Sequence, residues 1–454
     1  MHLKHHGGDT GVTGSCHQVF FDDHRSVLVD CGAFQGADAR GRDRDNIEFS
    51  LDGIESLIVT HVHHDHVGRI PLLLKAGFRE PIYCTKPTAK MLPIMLEDSI
   101  RLSMTRDRSE IKKILSQLVK LIQPCKYGEW ISLKKGAKFR FQPAGHILGS
   151  AYVEIDHNDE RFVLSGDLGA HCTPIMKTPI SPERADFLVL ESTYGDRLHE
   201  GRDQRVKTLE EILCKTMEDN GVTIIPAFSL GRTQEILFEL NKIMEDVCHT
   251  TECKILKKID VIVDSPLAIK LTNIYETWEE FWSDEAREIL RMDKQPFVFE
   301  NLYEIDAGSD HREALSYLLK SHKPAIVIAG SGMCTGGRVV DYLKAFLGRE
   351  TTDVVFVGFQ AKGTTGRAIQ EAGAEHGSVQ LDDMRVQVKA KTHTLSGYSA
   401  HADQNDLIKF VTDIPEKPKE IRLVHGEMEA KTALAEKLTA LGYNVTWPEE
   451  SSRE

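Results

Sequence analysis

Short β-branched apolar runs that stop on a histidine or a carboxylate recur along this chain, and they predict buried strands whose carboxyl ends carry chemistry. The clearest is Ser56-Leu57-Ile58-Val59-Thr60, which runs into His61-Val62-His63-His64-Asp65-His66. Residues 26–29 end at Asp30, 138–143 lead to His146, 162–164 to Asp167, 187–190 to Glu191 and 421–424 to His425. Strands far apart in sequence that each deliver a ligand-type residue can converge at one edge of a sheet, which random placement would rarely achieve. Between them, residues 18–21 and 26–32 read as two strands around a turn at Asp22-Asp23-His24-Arg25, and 67–77 as a short helix closed by glycine. Residues 88–123 have helical periodicity with mixed charge and predict a solvated helical layer.

The pattern changes between about 200 and 370. Apolar runs at 222–225, 261–263, 325–329 and 354–357 alternate with amphipathic helical stretches, and glycine-rich turns follow the runs. That order predicts a parallel, doubly wound sheet. The final segment returns to the first pattern, with Tyr398-Ser399-Ala400-His401-Ala402-Asp403 before a helix and a last run ending at His425. The expected organisation is a first domain over 1–195, an α/β insert over 196–370, and a segment over 371–454 that completes the first domain.

The His61-x-His63-x-Asp65-His66 spacing offers neutral imidazoles and a carboxylate, which a divalent zinc ion accepts. In a turn at a strand end, His61 and His63 can point to one metal while Asp65 and His66 point to a second. On these residues alone a solvated histidine-rich loop is the other reading, and two metals need more ligands. Asp167 at a strand end could bridge two cations. His146 by itself reads as either a core histidine or a ligand, and Asp30 as either a turn former or a residue that orients a ligand. The glycine-rich turns match neither a Walker A loop nor a dinucleotide fingerprint. They do carry Arg232, Arg338, Lys362 and Arg367, which are either phosphate-facing cations or ordinary surface charge.

Composition narrows this picture. At 454 residues the chain exceeds one ordinary core, and 41% hydrophobic with 28% charged residues belongs to a soluble globular protein. A formal charge of -13 excludes a surface coated for nucleic acid, so attraction to a polyanion has to be local, from bound cations and a few arginines and lysines. Nine cysteines, an odd number without paired CxxC spacing, argue against a disulfide framework and for a reducing cytoplasm. Cys248 and Cys253 read as structural. No signal peptide and no membrane-spanning apolar run is expected.

With these residues in place, the chain resembles the metallo-β-lactamase superfamily, and within it the β-CASP nucleases. That group includes the endonuclease subunit of the cleavage and polyadenylation specificity factor and related bacterial and archaeal ribonucleases. Asp30 in Val-Asp-Cys-Gly resembles the first superfamily motif and His61, His63, Asp65 and His66 the second. His146 in Ala-Gly-His-Ile-Leu-Gly-Ser resembles the third, and Asp167 in Ser-Gly-Asp-Leu-Gly the fourth. Glu191 in Glu-Ser-Thr-Tyr-Gly, His401 in Tyr-Ser-Ala-His-Ala-Asp and His425 in Val-His-Gly-Glu are similar to the three further β-CASP motifs.

The resemblance implies an αββα sandwich interrupted by an α/β insert. It implies a zinc-dependent ribonuclease that uses a two-metal hydroxide mechanism in RNA processing or decay. Cleavage would be endonucleolytic, with 5′–3′ exonucleolytic action also open. Two zinc ions per chain are implied, the first on His61, His63, His146 and Asp167, the second on Asp65, His66, His425 and the shared Asp167. Asp65, Glu191 and His401 are the implied catalytic residues, His401 as the general acid with Glu191 on its other ring nitrogen, and Asp30 orients a ligand. A histidine at the last motif accompanies RNA substrates in the family. Single-stranded RNA is the implied partner, because splayed nucleotides reach a recessed metal pair where a stiff duplex cannot. A homodimer is left open. The alternatives are a small-molecule hydrolase sharing the first four motifs, a DNA nuclease of the same family, and a non-catalytic RNA-processing partner.

Overall fold

The computed structural model describes residues 1–447 except 44, 172, 247–252 and 293–294, with the backbone alone at 102, 245–246 and 253–255. The chain forms two compact units. The first comprises Met1–His171, Met176–Leu198 and His401–Glu454, and the second Cys172–Ile175 and His199–Ala400.

The first unit opens with a six-stranded sheet in the order β1 (His2–Gly7), β2 (Cys16–Asp22), β3 (Arg25–Val29), β4 (Ile54–Ile58), β5 (Ile82–Thr85) and β6 (Ile122–Cys125). The first three strands pair antiparallel and the rest parallel. Next come β7 (Ile131–Ser132), β8 (Lys138–Pro143), β9 (Ala151–His157), β10 (Glu160–Leu164) and β11 (Phe187–Glu191) of a second sheet. The periodic stretch 88–123 resolves into two helices, Lys86–Ser103 and Arg108–Leu121, because the Asp107 carboxylate caps a fresh helix by accepting from Ser109 N at 2.8 Å.

In the second unit, β12 (Val222–Pro226), β13 (Asp260–Asp264), β14 (Leu302–Glu304), β15 (Ala325–Ala329) and β16 (Thr352–Phe356) are joined by β19 (Lys391–Thr394), while β17 (Ser378–Leu381) and β18 (Met384–Gln387) form a separate hairpin. The large sheet, ordered 14-13-15-12-16-19, is parallel throughout, as the alternation of apolar runs and helices predicts. Its core gathers Ile224, Val327, Val354, Tyr342, Phe346 and Ile369. The unit continues past residue 370, the boundary expected from sequence, because β19 adds its backbone hydrogen bonds to β16 in parallel register.

The chain then returns to the first unit with β20 (Glu420–Val424), which pairs parallel with β11, and β21 (Val445–Thr446) at the sheet edge. Side chains of β11 alternate. Val189 enters the core between the two sheets with Val27, Val29, Ile58, Phe141 and Val153, whereas Leu188 and Leu190 face Phe410 of the helix Gln404–Thr412 and Leu434 of the helix Met428–Ala440. The helix Lys86–Ser103 packs on β5 and β6. Two sheets face to face with helices outside are the αββα sandwich.

Cys16, Cys31, Cys84, Cys125, Cys214 and Cys334 carry free thiols, and Cys172, Cys248 and the side chain of Cys253 lie outside the described residues. Among the described residues no helix is long and apolar enough to cross a membrane.

Candidate active site

The site lies in the first unit, where the carboxyl ends of β3, β4, β10, β11 and β20 come together. Val29 of β3 hands the chain to Asp30, whose φ of +61° bends the carboxylate back toward β4. There it accepts from Thr60 N at 2.8 Å and Thr60 Oγ1 at 2.7 Å. Gly32 follows because the loop passes too close for a side chain: a Cβ there would sit 1.5 Å from the Asp65 carbonyl oxygen. His66 lies in the one-turn helix His64–Val67, and its Nδ1 approaches Asp30 Oδ2 at 2.7 Å.

Two groups of donor atoms result, sharing one carboxylate. His61 Nε2 and His146 Nε2 lie 3.2 and 3.0 Å from His63 Nδ1, and 3.4 and 3.6 Å from Asp167 Oδ2. On the other side of that carboxylate, Asp167 Oδ1 lies 3.1 Å from His66 Nε2 and 3.6 Å from His425 Nε2. Those two ring nitrogens are 3.3 Å apart, and His425 Nε2 is 3.2 Å from Asp65 Oδ2. Ligand atoms about 2.0–2.1 Å from a tetrahedral zinc stand about 3.3 Å from one another. These pairs, at 3.0–3.6 Å, bracket that spacing, with His66 Nε2 to Asp65 Oδ2 wider at 4.0 Å, and both groups are all imidazole and carboxylate. Asp167 Oδ1 is buried without a hydrogen bond. The residues therefore fit a pair of divalent cations.

Electrostatics divide the two groups. Burial holds His61 down to about 3 and His63 to about 4, and pushes His146 far below its usual range, so all three are neutral donors. Burial would raise Asp167, but the surrounding His425, His66 and His61 hold it well below the ordinary carboxylate range. His425 moves the other way: burial lowers it, yet Asp167 and Asp65 bring it up to about 8.

His401 enters from the loop before the helix Gln404–Thr412. Its Nδ1 is 3.1 Å from Glu191 Oε2, while Glu191 Oε1 accepts the Leu168 N–H at 2.7 Å. Two threonines that sequence reasoning passed over complete the arrangement. Thr60 Oγ1 donates to Asp30 and lies 3.1 Å from His61 Nδ1, and Thr193 Oγ1 reaches both the carbonyl and Nδ1 of His425. A hydroxyl near a strand end is too common in sequences to have marked either.

The four basic candidates all belong to the second unit, and two are corrected. Arg232 is buried, donates to the Tyr398 carbonyl and pairs with Glu235. Arg338 donates to Asp264 Oδ1 at 2.6 Å, to the Ile305 carbonyl at 2.9 Å and to the Asp306 carbonyl at 2.7 Å. Their donors hold the insert together. Arg367 pairs with Glu371 at 2.9 Å on its own helix, and Lys362 is exposed.

This sandwich, its insert and the clustered histidines define a class, and the chain belongs to the β-CASP family of the metallo-β-lactamase superfamily. The metallo-beta-lactamase superfamily model matches residues 11–213, the Beta-Casp domain 233–369, and a Zn-dependent metallo-hydrolase RNA specificity domain 385–448. Among individual relatives, Ribonuclease TTHA0252 of Thermus thermophilus is 34% identical over 98% of this chain and 98% of its own. Transcription termination factor FttA of Methanocaldococcus jannaschii is 29% identical over 93% of this chain, which spans 66% of that longer protein. The RNase J-like protein of the same organism is 29% identical over 94% of this chain and 92% of its own. A crystal structure of a protein of unknown function from Enterococcus faecalis V583 shares the fold, with a TM-score of 0.56 at 13% identity over 98% of this chain and 97% of that one.

Proposed function

We propose that this protein is a metal-dependent ribonuclease that hydrolyses RNA phosphodiester bonds at a two-zinc centre. One observation carries the reading: the two oxygens of Asp167 face separate donor groups at tetrahedral spacing, and the Glu191–His401 pair adjoins the same carboxylate, with His401 Nδ1 3.9 Å from Asp167 Oδ2. The match of residues 385–448 to an RNA specificity domain, and a ribonuclease relative covering 98% of the chain, support RNA as the substrate.

In this reading His61, His63, His146 and Asp167 hold one zinc, and Asp65, His66, His425 and Asp167 the other. Bound there, paired divalent cations lower the pKa of water toward neutrality and offset charge on the phosphate oxygens. Asp30 and Thr60 keep the rings of His66 and His61 aimed. Glu191 accepts a hydrogen bond from Nδ1–H of His401, which keeps that proton and directs Nε2–H to protonate the leaving group. The water gives up one proton to solvent as its oxygen joins phosphorus, the bond from phosphorus to the 3′ oxygen breaks, and that oxygen departs with the proton from His401, which solvent then replaces. The products are a 5′-phosphate and a 3′-hydroxyl. Single-stranded RNA is the form that reaches recessed donors.

The test is zinc content measured beside cleavage of labelled RNA, DNA and a generic lactam. Two zinc ions per chain and preferential RNA cleavage, abolished by a chelator and restored by zinc, are expected. Faster lactam or DNA hydrolysis, or cleavage that survives complete zinc removal, would reject the reading. Product ladders from 5′-triphosphorylated and 5′-monophosphorylated RNA separate internal cutting from 5′–3′ exonucleolysis, and light scattering on the same preparation reads whether the chain dimerises.

A further inference from the structure

From the geometry around His425 we infer that Thr193 is a positioning residue that fixes which nitrogen of His425 is free to take a metal. The inference rests on the two-metal reading above. Thr193 is buried, and its Oγ1 lies 3.1 Å from the His425 carbonyl oxygen and 3.0 Å from His425 Nδ1. A hydroxyl has one proton and two lone pairs, and a carbonyl oxygen has no proton to give. Two oxygens at that distance attract only with the hydroxyl proton between them. The threonine is then left with a lone pair toward the ring, so Nδ1 carries the hydrogen. In the neutral ring that a metal takes, Nε2 then has the lone pair, and Nε2 is the atom 3.2 Å from Asp65 Oδ2 and 3.6 Å from Asp167 Oδ1.

The same hydroxyl also pins the main chain. His425 has φ +51°, a left-handed conformation that side-chain-bearing residues rarely adopt. Its N–H donates to the Gly8 carbonyl at 2.6 Å, and its carbonyl accepts Ser192 N at 3.2 Å besides Thr193. Thr193 thus holds ring and backbone of one residue with one atom. At His61 the device recurs with Thr60, whose proton goes to Asp30 and whose lone pair faces His61 Nδ1. His66 uses a carboxylate for the same purpose.

Valine matches threonine in shape without the hydroxyl, so Thr193→Val tests the role and Thr193→Ser provides the rescue. Zinc is titrated into the metal-free full chain against a chromophoric chelator, for the parent protein, both variants and His425→Ala as the benchmark for the step that involves His425. The expected result is two binding steps in the parent. In Thr193→Val the step lost in His425→Ala should weaken about 10- to 100-fold, the scale for residues that orient metal-bound histidines, with the other step unchanged. Thr193→Ser should stay within about twofold of the parent. Long-range ¹H–¹⁵N spectra of the zinc-loaded parent should show His425 protonated on Nδ1, a readout that stands even if Thr193→Val fails to fold. Equal constants in Thr193→Val and the parent, or a hydrogen on Nε2, would overturn the inference. Fewer than two zinc sites in the parent would instead bring down the two-metal reading and this inference with it.

Discussion

Both carboxylate oxygens of Glu191 face His401 Nδ1, Oε2 at 3.1 Å and Oε1 at 3.3 Å, and Oε1 also accepts the Leu168 N–H at 2.7 Å. The bond from Leu168 keeps the carboxylate from rotating away, so the imidazole is held at Nδ1 and presents Nε2 outward. His401→Ala should therefore keep both zinc ions and lose about 10²- to 10⁴-fold in kcat, the range for a positioned general acid. Glu191→Gln should lose less, since one amide oxygen remains to accept from His401 Nδ1 or Leu168 N while the amide N–H meets the other donor. Parallel measurement of zinc content and single-turnover RNA cleavage checks both. Near-parental turnover in His401→Ala would remove it from the reaction.

Asp30 is a hub for two ligand rings, through His66 Nδ1 directly and through Thr60 to His61. Asp30→Asn suits the left-handed φ of +61°, which asparagine tolerates. An amide N–H would nevertheless meet either the Thr60 backbone N–H, if it takes the Oδ1 place, or both the Thr60 hydroxyl proton and the His66 Nδ1–H, if it takes the Oδ2 place. We expect a folded variant whose zinc affinity falls about 10- to 100-fold. Isothermal titration with a competing chelator reads this directly, and unchanged affinity would show that the rings orient themselves.

Arg338 should behave as a stability residue. Its partner Asp264 is fully buried and also accepts from Tyr342 Oη at 2.6 Å, with His311 Nδ1 at 2.5 Å. Removing one partner of a buried ion pair costs about 3–5 kcal/mol, and the remaining two partners place Arg338→Met at the lower end. Chemical denaturation should show that loss, while the salt dependence of RNA binding keeps its slope. A slope reduced by about one would instead mark a lost phosphate contact.

Lys431 is buried, and burial holds its amine down to about 8, against 10.5 for a free lysine. The charged form is thus disfavoured in the folded state. The resulting cost is fully present below pH 8 and is relieved as pH rises from 8 to 10.5, where the unfolded chain binds more protons. It amounts to about 3 kcal/mol. Lys431→Met should flatten that part of the stability profile, at the expense of the bond from Nζ to the Asp9 carbonyl. Unfolding free energies of both proteins across pH 7 to 10.5 decide it, and parallel curves would exclude Lys431 as the source.

Strand ends carried most of what could be read in advance. Asp167 and Glu191 follow runs, 162–164 and 187–190, in which every position is apolar, and His425 follows a run, 421–424, interrupted only by Arg422. Asp264 closes an equally apolar strand, yet its carboxylate is taken up by Arg338, Tyr342 and His311. Local pattern does not reveal where a partner 74 residues away will lie. For the same reason Arg232 and Arg338 read as phosphate-facing cations or surface charge, when both are taken up by partners inside the insert. β1 was missed because only one of its residues, Gly7, is fully buried and it carries three histidines, so no apolar period marks it. The extension of the insert through β19 is not legible because Lys391–Thr394 is a polar edge strand, joined by backbone bonds and by His393 Nε2 at 2.7 Å from Asp353 Oδ1, with no apolar run to mark it.

His425 stands 360 residues after Asp65, the carboxylate its ring meets. During synthesis the trio of His61, His63 and His146 and the carboxylate of Asp167 emerge long before β20. A growing chain halted short of that strand has one cage finished, the other missing a wall, and its acid not yet translated if the halt precedes His401. Completion of the second donor group thus waits on the final stretch His401–Glu454, which ties the site to the return of that stretch to the first unit.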